Sequence, residues 1–114
     1  MNYDSLMDNI KRIHFIGIGG SGMCPLAEIL HHEGYELSGS DMNEGETLDR
    51  IKGYGIPVFM GHAAENIKGA ELVVYSAAVK ETNPERQAAK ELGIPCIERS
   101  VMLGIVTRRY RRSI

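Results

Sequence analysis

Cysteine is scarce in this chain, and the two present, Cys24 and Cys96, stand far apart with no motif spacing. They read as small buried residues of a cytosolic protein, not as a disulfide or a thiolate metal site. Long apolar runs are lacking too. No stretch is able to cross a bilayer as a helix, and no basic-then-apolar leader is evident, so a cytoplasmic location is the expectation. The formal net charge is only −2, which removes the general reason to expect nucleic acid. Catalytic signatures are missing as well: there is no G-x-S-x-G elbow, no H-E-x-x-H and no suggestive Cys–His pairing. A G-x-x-x-x-G-K-[ST] loop is also absent, so ATP binding in the P-loop manner is not expected. No residue is singled out as catalytic or as a metal ligand.

What is present is ordinary in bulk and unusual in one place. A chain of 114 residues, 43% hydrophobic and 25% charged, suffices for one domain with a real core. The 13 glycines are a high count and suit a fold with many tight βα turns. Residues 11–23, KRIHFIGIGGSGM, carry the densest signal. Residues 13–18 mix β-branched and aromatic side chains as a buried strand does. Gly17, Gly19 and Gly22 then form a G-x-G-x-x-G match, and Met23, Leu26, Ala27 and Leu30 recur at helical spacing. A strand that turns straight into a helix needs positive φ or very close packing, and glycine permits both. Without a Cβ, Gly19 and Gly20 let a phosphate approach the main chain, and the helix opening near Ser21 aims unpaired N–H groups and partial positive charge at it.

The rest of the chain keeps alternating strand and helix. Strand 12–17 and helix 21–32 come first, with His31 and His32 suited to the negative helix end and Gly34 as the stop. Residues 35–40 read as a second strand closing on Asp41, about twenty positions beyond the glycine turn, where such folds place an acid against ribose hydroxyls. A helix over 46–54 should bury Leu48 and Ile51. A short strand at 56–60 leads to Gly61 and His62, the histidine best placed to meet a ligand. Residues 63–69 suggest a short helix or turn, and ELVVY at 71–75 a central strand ending in the small residues Ser76, Ala77 and Ala78. Asn83-Pro84-Glu85 marks a helix start: Asn83 caps, Pro84 needs no donor, and Glu85 favours the positive end. That helix should turn Ala88, Ala89 and Leu92 inward. Pro95 places strand 94–97 at a sheet edge. Residues 100–106 look helical, with Val101, Leu103 and Ile105 apolar, and the arginine-rich tail reads as a linker. The order implies an α/β fold: a Rossmann-like parallel sheet of about five strands with helices on both faces, in a single domain.

These features support a nucleotide- or dinucleotide-binding module. They do not separate an NAD-binding regulatory or dehydrogenase module from one that holds another diphosphate, because a glycine turn and a strand-end acid treat both alike.

The runs HFIGIGGSGMCPLAEIL, GYELSGSD, PVFMGH, VVYSAAVKETNPE and ERSVMLG, taken in order, closely resemble the N-terminal domain of the UDP-N-acetylmuramate–L-alanine ligases of the Mur ligase family. The resemblance covers residues 13–114 and implies a role in building the peptide of bacterial peptidoglycan, and so in the cell wall, cell shape and cell division. It implies that Gly19, Gly20, Ser21, Gly22 and Met23 surround the diphosphate of UDP-N-acetylmuramate through backbone amides. It also implies that Asp41 meets the uridine ribose and that His62, Ser76, Ala77 and Ala78 line the uridine end. In that family a central ATPase domain, with ATP and magnesium, and a C-terminal amino-acid domain follow in the same chain. The family's G-T-H-G-K-T loop does not occur in this sequence. The resemblance therefore divides the sequence into a substrate-binding domain, 1–107, and a linker or start of the ATPase domain, 108–114, with no ligase activity of its own and neither nucleic acid nor membrane as partner.

Overall fold

Residues 7–20 and 22–113 are described by a computed structural model, residues 109–113 as backbone alone. Strands and helices alternate along them: β1 (Arg12–Ile16), α1 (Met23–His32), β2 (Glu36–Asp41), α2 (Glu46–Gly53), β3 (Val58–Met60), a 3-10 turn (Ala64–Ile67), β4 (Leu72–Tyr75), α3 (Pro84–Leu92), β5 (Cys96–Glu98) and α4 (Arg99–Ser113). The strands form one five-stranded sheet in the order β3-β2-β1-β4-β5, and every neighbouring pair is parallel. This is the α/β architecture the alternation implies, with β5 at an edge as Pro95 suggests. No helix of the described residues is long and apolar enough to cross a membrane.

β1 and β4 lie centrally, covered on both faces, which is why both read as near-continuous apolar runs. Their alternation sorts two cores. Ile13 and Phe15 of β1 join Leu72 and Val74 of β4 beneath α1, α2 and α4, with Leu30, Ile51, Met102 and Ile105 packed on them. Ile16 and Val73 face the other way, against Ile67 of the 3-10 turn and Ala88 and Ala89 of α3. Each fully buried aliphatic side chain of this kind contributes about 1.5–3 kcal/mol.

α3 turns Ala88 and Ala89 inward as the sequence implies, but not Leu92. Leu92 is 65% exposed, and on α4 Val101 and Leu103 are exposed while Met102, Ile105 and Val106 are buried. On α4 the apolar residues admit more than one 3.6-residue phase, and the position of the sheet selects one. The tail read as a linker continues α4 through Ser113.

Gly39 in β2 is required by close packing. A Cβ there would lie 2.6 Å from Ile18, whose side chain is fully buried over the strand. Gly39→Ala is expected to cost about 1–3 kcal/mol through overpacking, read as a lowered midpoint in urea denaturation. Gly53→Ala, with nothing within 4 Å of the added methyl, serves as the control and should be neutral or slightly stabilising. Equal midpoints for the two variants would remove the argument.

Candidate functional site

The chain runs β1, β2, β3 toward one edge and then returns across β1 to β4. This makes a topological switch point beside β1, outside whose carboxyl end open α/β sheets collect ligands. A cleft of about 630 Å³ lies there, lined by Gly17 and Gly20 after β1, Asp41 and Asn43 after β2, His62 after β3, and Ser76 and Ala78 after β4. A smaller groove of about 210 Å³, lined in part by Arg12, Ser38 and Phe59, involves none of these loops.

Of the residues singled out in the sequence, Gly20, Asp41, His62, Ser76 and Ala78 therefore meet around one cleft. Gly19 sits just behind the wall. Its N–H donates to Asp41 Oδ2 at 2.9 Å, and a Cβ on it would come within 3.0 Å of that oxygen and of Leu48. Asp41 Oδ1 accepts a second amide, from Asn43 at 3.1 Å. The acid that closes β2 is thus turned toward the glycine corner and ties the two loops together. Ala77 is exposed and Met23 is fully buried in the core; neither is among the cleft-lining residues. Ser21 lies outside the described residues.

The corner's amides are not all open. Gly20 N–H donates to Gly17 O at 2.9 Å, and Met23 N–H donates to Gly20 O at 3.0 Å, both turn bonds that wind the loop into α1. Gly22, the residue before α1, faces a cation: a Cβ there would stand 3.2 Å from Arg99 Nη1. Arg99, at the first position of α4, brings positive charge to the glycine corner from a distant part of the chain. Lys80 adds another on the cleft wall.

Beneath the cleft lies a polar centre that sequence reasoning reduced to a helix-start residue. Glu85 is fully buried, although it stands at the second position of α3. Its backbone N–H is capped by Asn83 Oδ1 at 2.8 Å, as the sequence implied, but its side chain turns inward under the sheet. Oε1 accepts from His14 Nε2 at 2.5 Å and from Ser40 Oγ at 2.8 Å. Oε2 accepts from His62 Nδ1 at 3.2 Å, from Ala63 N at 3.2 Å and from Asn66 Nδ2 at 3.1 Å. Burial by itself raises the carboxyl's pKa, but the hydrogen bonds from His14, Asn66 and Ser40, with the adjoining His14 charge, outweigh it and hold the group at about 2. Five converging donors leave no room for a carboxyl proton, so geometry and electrostatics agree on the carboxylate.

One signal for this centre stood in the sequence. His14 interrupts the apolar run RIHFI of a strand expected to be buried, and a buried imidazole needs partners on both nitrogens. It has them: Nε2 on Glu85 and Nδ1 on Ser38 Oγ at 2.8 Å. Nothing in the sequence pointed to Arg99. Among the described residues no cluster of histidine, cysteine and carboxylate side chains is suited to a metal ion.

Comparison with known proteins yields several matches. A family model described as "Mur ligase family, catalytic domain" matches residues 12–111. UDP-N-acetylmuramate–L-alanine ligase of Legionella pneumophila (strain Corby) is 52% identical over 108 residues, which are 95% of this chain and 23% of that protein. Among solved structures, UDP-N-acetylmuramate-alanine ligase from Thermotoga maritima superposes with a TM-score of 0.83 at 34% identity, covering 86% of this chain and 23% of the other. UDP-N-acetylmuramate:L-alanyl-gamma-D-glutamyl-meso-diaminopimelate ligase from Neisseria meningitides superposes at 0.73 and 32% identity, covering 79% and 29%. The chain spans about a quarter of the length of the curated relatives it matches, 23% in the first case.

Proposed function

This chain belongs to the Mur ligase family, and from that premise we propose that it binds UDP-N-acetylmuramate for an ATP-dependent ligase that adds L-alanine to it during peptidoglycan synthesis. The observation that carries the reading is the single cleft at the switch point, where Gly20, Asp41, His62, Ser76 and Ala78 converge. The relatives' names support the substrate. The Thermotoga and Neisseria enzymes differ in the amino component they join, and the component common to both names is UDP-N-acetylmuramate. The curated relatives at 52% and 50% identity both carry the name of an alanine ligase, which supports alanine as the amino component.

In this reading the diphosphate sits on the glycine corner formed by Gly19, Gly20, Ser21, Gly22 and Met23. Its oxygens lie in the field of the α1 N-terminus. Arg99 and Lys80 supply positive charge, and the ribose hydroxyls donate to the free lone pairs of Asp41. The uracil lies toward His62, Ser76, Ala77 and Ala78. Holding the nucleotide end in this way fixes where the muramoyl carboxylate falls, so binding energy far from the reacting bond is used for orientation.

In this reading ATP and magnesium are bound elsewhere in the enzyme. The sequence has no phosphate loop of the P-loop type, and the described residues have no clustered metal ligands. Residues 1–107 are accordingly assigned to substrate binding, and 108–114 to the connection toward an ATP-binding part of a longer, cytoplasmic enzyme. The chain alone is expected to be catalytically silent.

Titration of UDP-N-acetylmuramate into the 114-residue chain should perturb the amide NMR signals of Gly19, Gly20, Gly22 and Asp41. NADH at the same concentration should leave them in place. Tight binding of NADH with no response to the UDP-sugar would overturn the proposal in favour of a dinucleotide module.

A further inference from the structure

We infer that Glu85 is a positioning residue that locks His62 in the Nδ1–H tautomer, so that the cleft meets its ligand with a bare Nε2 acceptor and selects uracil over cytosine. The inference rests on the uridine reading above and adds to it the residue that sets base specificity. His62 Nδ1 lies 2.9 Å from Ser40 Oγ and 3.2 Å from Glu85 Oε2. Ser40 has one hydroxyl hydrogen, and its Oγ donates that to Glu85 Oε1 at 2.8 Å. Toward His62 the serine oxygen is therefore an acceptor, and so is the carboxylate. Two acceptors facing one ring nitrogen require that nitrogen to carry the proton.

The other ring nitrogen follows from this. A neutral imidazole with Nδ1–H has its lone pair on Nε2, which has no hydrogen-bond partner among the described residues. His62 lines the cleft with its side chain 17% exposed, while the ring edge bearing Nδ1 is turned to the buried Glu85. The atom offered to a ligand is thus an acceptor held in place by a buried carboxylate that is itself bonded on both oxygens. Uracil carries an imide N3–H that such an acceptor can bind, whereas cytosine presents a lone pair at the same ring position. Two facing lone pairs repel and leave both atoms unpaired, the kind of mismatch that a hydrogen-bonding site rejects strongly.

Heteronuclear NMR of the histidine ring nitrogens in the unliganded chain, at neutral pH, should show His62 with a pyrrole-type Nδ1 and a pyridine-type Nε2. Uridine diphosphate should bind more tightly than cytidine diphosphate by about tenfold or more. Ser40→Ala should keep the tautomer, because Glu85 remains. Glu85→Gln, where it folds, should mix the two tautomers and narrow the uridine preference, a change that a purely structural role for Glu85 would not produce. A pyrrole-type Nε2 in the unaltered chain, or equal affinity for the two nucleotides, overturns the inference while leaving uridine binding standing. Binding of neither nucleotide at millimolar concentration overturns the uridine reading itself, and the selection step with it.

Discussion

Glu85→Ala should cost about 3–5 kcal/mol of folding stability, the range for removing one partner of a buried charge network. For a domain whose whole stability is of order 5–15 kcal/mol, that is a large share. The substitution deletes the acceptor for five donors at once, among them the fully buried His14, and opens a void between α3 and the sheet. The same group sets an acid limit. Its carboxyl is held at about 2 against an ordinary value of 4.5. A depressed carboxyl pKa stabilises the fold fully above the unfolded value and loses that contribution as pH falls toward the folded one. About 3 kcal/mol should therefore disappear between roughly pH 4.5 and pH 2. Urea denaturation followed by circular dichroism at neutral and acid pH reads both effects. Glu85→Gln should be destabilised less than the alanine variant and should lack the acid-dependent component contributed by this site. An alanine variant within about 1 kcal/mol of the parent would mean that the centre carries little of the fold's stability.

Asp41→Ala should weaken uridine diphosphate binding about a hundredfold while costing the fold far less than the Glu85 change. Two losses add. The ribose loses a charged acceptor, worth about 1.5–3 kcal/mol in bonds of this type, and a hundredfold corresponds to about 2.7 kcal/mol. The glycine corner also loses its clasp, because Asp41 Oδ2 holds the Gly19 amide and Oδ1 holds the Asn43 amide. Asp41→Asn keeps a carbonyl oxygen for one of those amides and should fall between the two. Calorimetric titration of the three proteins checks the order. Affinity within threefold of the parent for Asp41→Ala would remove Asp41 from the site.

Much of this was legible because it is local. The turn at residues 17–22, the cap at Asn83, the glycine stops and the strand-end acid are dictated by backbone sterics and by bonds between near neighbours. The alternation of periods along the chain leaves a parallel sheet as the natural outcome. Asp41 was found from its spacing beyond the glycine turn. That it would bond Gly19 across the corner was not, since this bond depends on β1 and β2 lying side by side.

The sequence by itself determined the elements, their order along the chain and five residues that meet around the cleft, Gly20, Asp41, His62, Ser76 and Ala78, because sterics, capping and periodicity act over a few residues. Only the tertiary structure decided that Glu85, a well-placed helix-start acid by every local rule, turns under the sheet to meet His14, Ser40, His62 and Asn66. It alone brought Arg99 to the glycine corner, left Leu92 of α3 exposed and chose which phase of α4 is buried. The physical reason is the same in each case. A side chain's direction and partner depend on which strand lies beside which, and those partners are separated by tens of residues of chain whose pairing no local rule specifies.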